Sequence, residues 1–386
     1  MTPPASATTS VSTTTSATGT ALRNGPPRRA VLVGGIGVRS AFGAGLAALT
    51  DGVLAGRPAF TPVERFGTAA HRTDRAATGP GSPRLADQLV AVLAEAGALS
   101  GPVDLEQPSA EEELLLALHG DRRAGPVAAE VAERTGLRPR VYTGACVAAS
   151  GAVADAAALI ASGRRERVLV AAGYLVEPDT FAVFDAGRAL AGDGAVRPFS
   201  LGRRGMLLGD AAVAVVLESA PALRRRGGRA LARIAGWART GDAFHVCRPH
   251  PDGTGLARAV HGALDRAGAA PDAIGYVNAN GAGSKLGDLA EAAALRAVFP
   301  AGTPPVSSTK SVHGHALEAS ALLELAATVG VLGAGALPVN AGWQAPDPGC
   351  PLDLVLDRPR PAAPGLALTV NAAFGGANTA LLVAPA

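Results

Sequence analysis

The chain has 386 residues, 48% of them hydrophobic, a formal net charge of +3 and three cysteines. That is enough apolar material for one large core or two fused halves, and the small, scattered positive charge does not single out nucleic acid as a partner. Cysteines this few, none at a metal-ligand spacing, argue against a disulfide framework or zinc site and for a reducing, cytoplasmic setting. No run reaches the roughly 18 apolar residues of a membrane span without charge or glycine interruption, so no membrane association is expected.

Residues 1–27 are rich in Ser, Thr, Ala and Pro without apolar periodicity, which predicts a disordered tail. They lack the basic start and continuous apolar core of a secretory leader. Residues 29–37 read as a buried strand ending in a glycine turn, with no acidic residue at the spacing a dinucleotide site requires. Helical periodicity follows at 84–98 and 125–135, then a helix running from Cys146 to 163, with strands at 167–172 and 211–217. After Arg224-Arg225-Arg226 a second half opens near 228. It has a strand at 230–235, a helix at 255–267, a strand at 274–277, helices at 288–298 and 317–332, and closing strands at 366–370 and 379–383. Strands alternating with helices predict an α/β fold with largely buried sheets, divided here into residues 28–227 and 228–386.

Cys146 lies in Val141-Tyr142-Thr143-Gly144-Ala145-Cys146-Val147-Ala148, where a short strand meets an alanine-rich helix. A thiol at a helix N-terminus is shifted toward thiolate by unpaired N–H groups and the macrodipole; a lone cysteine in such a segment is otherwise most often a small buried hydrophobe. Two later segments share its density of small and polar residues: Asn278-Ala279-Asn280-Gly281-Ala282-Gly283-Ser284 and Ser307-Ser308-Thr309-Lys310-Ser311-Val312-His313-Gly314-His315. Lys285 and Lys310 are the only lysines among 35 basic residues. A lysine kept where arginine serves everywhere else suggests a need for a compact ammonium; Lys285 reads as surface.

These segments, with Asn371-Ala372-Ala373-Phe374-Gly375-Gly376, resemble in order the β-ketoacyl synthase family, the condensing enzymes of fatty acid and polyketide assembly. The resemblance runs from about Arg29 to Val383. It implies the thiolase fold, two similar βαβαβαββ halves in an αβαβα layered arrangement, and a homodimer or a heterodimer with another ketosynthase-like chain. It also implies no bound cofactor, because the substrates ride on the phosphopantetheine of an acyl carrier protein. Cys146 would be the nucleophile, and the N–H groups of Cys146 and Phe374 the oxyanion hole, with Phe374 also the gate. His315 matches the second catalytic histidine beside Lys310, and Glu324 the glutamate ordering that network. Asp288 and Glu291 match an acidic pair expected to hold loop geometry, and Ser284 a hydroxyl for the pantetheine arm. His313 has no family role.

Several positions depart from the pattern. Asn280 stands where the family has its first catalytic histidine, and an amide can donate but not titrate. Ala282 lacks the hydroxyl of a family threonine, Ala373 replaces a glycine before the gate, Asp210 replaces a glutamate, and the stretch between Gly97 and Gly144 is short. Three readings follow: a condensing ketosynthase with a Cys-Asn-His site, a non-elongating acyltransferase of the same fold, and a non-catalytic partner resembling chain-length factors. Retention of Cys146 counts against the third.

Overall fold

The computed structural model describes residues 29–99 and 113–386; the expected tail at 1–27, and 100–112 within the short stretch, lie outside them. Ten strands carry the architecture: β1 (Val31–Ser40), β2 (Glu113–Leu118), β3 (Pro139–Tyr142), β4 (Arg167–Tyr174), β5 (Ala211–Ser219), β6 (Ala232–Gly241), β7 (Tyr276–Asn278), β8 (Val306–Ser307), β9 (Ala367–Ala372) and β10 (Ala377–Pro385). Their order across the sheet is β8-β7-β9-β10-β6-β1-β5-β4-β2-β3. The first five strands thus run β3-β2-β4-β5-β1 from the edge inward, and the last five repeat that order as β8-β7-β9-β10-β6.

Directions repeat as well. β2 is parallel to β3 and β4, while β5 is antiparallel to β4 and β1; β7 is parallel to β8 and β9, while β10 is antiparallel to β9 and β6. β1 and β6 join the halves antiparallel at Val31–Val33. With its helices, each half reads βαβαβαββ.

The helix Ala148–Ala161 packs on β2, β4 and β5 of its own half and on β6 and β10 of the other, and Ser320–Ala334 packs on β9, β10 and β5. Both are buried almost all round, as a helix between two sheets must be. The helices Leu85–Leu99 and Thr254–Ala267 lie on the outer faces, against β1 and β6 respectively. The result is the αβαβα layering of the thiolase fold. Leu317–Ala334 is long and apolar enough to cross a membrane, yet 78% of it is buried inside the protein. It is the central helix of the second half.

Each first strand admits its outer helix through a glycine. A Cβ on Gly37 would lie 2.1 Å from the Val92 carbonyl oxygen, and one on Gly236 2.1 Å from that of Ala263. Gly37→Ala or Gly236→Ala should force the helix away and cost about 1–3 kcal/mol. Urea unfolding measures this, and an unchanged midpoint in both variants would refute the close-approach argument.

Candidate active site

β3 feeds the 3₁₀ turn Ala145–Val147, which runs into the helix Ala148–Ala161. Ala145 holds φ +51°, in the left-handed region that a residue with a Cβ rarely adopts. This strained turn sets Cys146 at the helix start, on the wall of a cavity of about 440 Å³ that Asn280, His315, Ser284 and Phe374 also line. Burial pushes the Cys146 thiol up to about 12; the negative charge of Glu318 adds to this and the positive charge of the Lys310 ammonium opposes it. Burial thus opposes the pull of the helix terminus on this thiol.

Asn280 is held by two donors to its Oδ1, the Lys310 ammonium at 3.2 Å and the Ala372 N–H at 3.4 Å. Both demand an acceptor, so the amide nitrogen is the end left for the cavity. Lys310, only 1% exposed, is itself fixed by Glu324, with Nζ 2.5 Å from Oε1. The other Glu324 oxygen accepts from Asn371 Nδ2 at 2.6 Å. Glu324→Ala would strand the Lys310 charge in the core and should lower stability by about 3–5 kcal/mol; a loss under about 1 kcal/mol in denaturant unfolding, the range of an exposed pair, would contradict a buried, coupled pair.

His315 shows its tautomer through its contacts. The Leu317 N–H donates to Nδ1 at 3.0 Å, and Ser320 Oγ lies 2.9 Å from the same nitrogen. Nδ1 is thus the acceptor, and Nε2 carries the proton. Burial, then the charge of Lys310 and the proximity of His313, hold this imidazole well below its usual range. A neutral donor results. His313 is fully buried, with Nδ1 2.8 Å from the Gly314 carbonyl oxygen and Nε2 3.0 Å from Thr309 Oγ1. Burial takes it down to about 3, and it lies off the cavity lining.

The acidic pair on the helix Lys285–Val298 faces backbone. Glu291 accepts the N–H groups of Asn280 and Gly281 at 2.7 and 2.8 Å, and Asp288 those of Phe199 and Gly283 at 2.8 and 3.2 Å. Burial raises Asp288 to about 7 and Glu291 to about 8. Ser284 is the N-cap of this helix, its Oγ accepting from the Gly287 N–H at 3.2 Å, which leaves its hydroxyl proton for the cavity. Phe374 is exposed on the loop between β9 and β10, its ring 6.4 Å from that of Phe184. Gly375 and Gly376, at φ +88° and +72°, turn that loop, and the Gly375 N–H donates to Val246. The Arg65 guanidinium donates to both Asp210 oxygens, at 3.0 and 2.6 Å, and Asp210 lies off the cavity lining.

The structure adds residues that sequence reasoning did not pick out. Ser320 orients His315, Asn371 anchors Glu324, and Arg188 and Arg204 line the cavity mouth beside Lys285, which the sequence reads as surface. Glu318, buried to 3% exposure, receives His119 Nδ1 at 3.0 and 3.1 Å from its two oxygens. A charged residue within the small-residue run after His315 was the available signal. Among the described residues no group of three or more His, Cys, Asp or Glu is arranged to hold a metal ion.

Comparisons with known proteins bear on the family and the fold. Residues 103–222 match the model of the β-ketoacyl synthase N-terminal domain and residues 231–344 that of its C-terminal domain. The tetracenomycin polyketide synthase ketoacyl synthase alpha subunit of Streptomyces glaucescens is 32% identical, over 92% of this chain and 96% of its own length. The ishigamide ketosynthase/chain length factor structure superposes with a TM-score of 0.84 at 27% identity, covering 93% of this chain and all of that one. A β-ketoacyl synthase from Burkholderia phymatum gives 0.83 at 26%, with the same coverage. By its two matched domains, its full-length relative and its duplicated fold, the chain belongs to the β-ketoacyl synthase family.

Proposed function

We propose that the protein is a carrier-dependent condensing enzyme of polyketide or fatty acid assembly working with a Cys-Asn-His site. The observation that carries this reading is the convergence of two neutral donors, the Asn280 amide and His315 Nε2–H, on the cavity that holds Cys146. In the first half-reaction the Cys146 sulfur attacks a carrier thioester, its bond to the acyl carbon forms, and the pantetheine C–S bond breaks. The thiol proton ends on the departing pantetheine sulfur. Covalent capture splits one difficult transfer into two, and the N–H groups of Cys146 and Phe374 serve the developing oxyanion.

In the second half-reaction a malonyl thioester loses carbon dioxide. The electron pair moves onto the carbonyl oxygen as an enolate, which Asn280 and His315 stabilise without giving up a proton. The enolate carbon then attacks the acyl-Cys146 carbonyl, the carbon–sulfur bond to Cys146 breaks, and the released thiolate takes up from water the one proton this half-reaction consumes. Ser284 suits the pantetheine arm, and Arg188, Arg204 and Lys285 at the mouth suit its phosphate and an acidic carrier surface. A dimer with a second ketosynthase-like chain and a cytoplasmic setting complete the reading; the three cysteines are all free thiols.

The test is intact-protein mass spectrometry after mixing with acyl-carrier and then malonyl-carrier. An acyl adduct on the chain followed by a 3-oxoacyl product on the carrier is the expected result. An adduct without that product would favour the non-elongating acyltransferase, whose basis is that Asn280 cannot relay a proton. No adduct at all would favour a non-catalytic partner.

A further inference from the structure

Behind Cys146 lies a second polar assembly that the two half-reactions do not use. The turn Ala145–Val147 packs against the turn Leu317–Ala319, where Leu317 at φ +44° sets Glu318 into the core. Glu318 has one hydrogen-bonding side-chain partner among the described residues, His119. His119 follows β2, is 36% exposed at its side chain, and lines a separate cavity of about 50 Å³ together with Asp121, Arg123, Tyr174 and Glu177. A buried carboxylate thus sits beneath the nucleophile, and the one side chain hydrogen-bonded to it among the described residues reaches solvent from the far side.

We propose that His119 is a positioning residue for the nucleophile: its imidazolium, bonded to Glu318 under the Cys146 turn, cancels a carboxylate charge that otherwise opposes ionisation of the thiol. The hydrogen bond to Glu318 raises His119 above its usual range, burial works against this, and Asp121 and Arg123 act on it in opposite senses. On the other side Cys146 feels Glu318, Lys310 and Glu324. Lys310 and Glu324 neutralise each other through their own ion pair. Glu318 is therefore the charge near the sulfur whose balance depends on a titratable, solvent-reached partner. His119 keeps its proton below its raised value and loses it as pH rises through that value, uncovering Glu318.

This rests on reading Cys146 as the nucleophile, so the test avoids carrier chemistry. Iodoacetamide alkylation of Cys146, resolved from Cys247 by peptide mass spectrometry, is followed from about pH 5 upward, from the ordinary histidine range into the range above it toward which His119 is raised. The native rate should rise less than tenfold per pH unit while His119 deprotonates. His119→Gln should be about tenfold slower at the low end, one unit of thiol ionisation, and follow the full slope. Glu318→Gln should be at least as fast as native, and His119→Gln/Glu318→Gln should recover to the level of Glu318→Gln. A His119→Gln rate and slope equal to native, a Glu318→Gln rate below native, or a double variant as slow as His119→Gln would each overturn the proposal. If alkylation follows the expected pattern while carrier loading fails in the native protein, the functional reading falls and this inference stands.

Discussion

Cys146→Ala is expected to abolish formation of an acyl adduct from acyl-carrier, read as mass gain on the intact chain. Two other thiols could compete. Cys350 is buried, with its Sγ 3.8 Å from the Asp288 carbonyl oxygen, and burial pushes it up to about 12. Cys247 is the real rival: it is exposed, lines the same cavity mouth, and has Sγ 3.6 Å from His245 Nδ1. An exposed imidazole beside an exposed thiol supplies no preorganised donors for the tetrahedral oxyanion, and without them a positioned thiol loses the largest catalytic term. For Cys146, the donors proposed above are the N–H groups of its own turn and of Phe374. An adduct that persists on Cys247 in the Cys146→Ala variant would move the nucleophile to the loop and sink the assignment.

The element order was legible because apolar periodicity and turn residues are local signals. Boundaries shifted where a cap decides them. Residues 288–298 read as a helix, but Ser284 caps it and it starts at Lys285. Residues 317–332 likewise begin as a 3₁₀ turn that places Glu318. The strand expected at 230–235 runs as Ala232–Gly241 because it is paired along its length with β10. β2 went unread: its Leu114–Leu118 run is buried on both faces and shows no alternation. The duplication left no internal repeat in the sequence and was expected from the family resemblance alone, since it lies in strand order and direction, and the two glycines that admit the outer helices sit among unlike neighbours.

Site legibility divides along the same line. Cys146, Asn280, Lys310 and His315 stand in compact motifs, and the resemblance of those motifs to the β-ketoacyl synthase family is what brings them forward. His119 and Glu318 are 199 residues apart and meet only through the packing of one half's sheet end on the other's turn. Seen along the chain, Glu318 is a charge near a helix start, a feature that dipole complementarity explains without any partner.

Asn280→Ala should lower condensation about 10²–10³-fold, the usual effect of removing one oxyanion donor, while acyl loading changes little. The asymmetry follows because only the second half-reaction builds charge on the malonyl oxygen, so only that step loses a transition-state interaction. The Ala variant also frees the Lys310 ammonium and the Ala372 N–H from their shared acceptor, which could slacken the site as a whole. Asn280→His separates the two effects: a neutral imidazole can accept from Lys310 at one nitrogen and donate into the cavity from the other. It should therefore condense at least as fast as the native protein, measured as 3-oxoacyl-carrier formed per acylated chain. Native-rate condensation by Asn280→Ala would remove Asn280 from the donor pair. Loading without condensation in the native protein, with condensation appearing in Asn280→His, would identify the amide as the block and make the native chain a non-elongating acyltransferase.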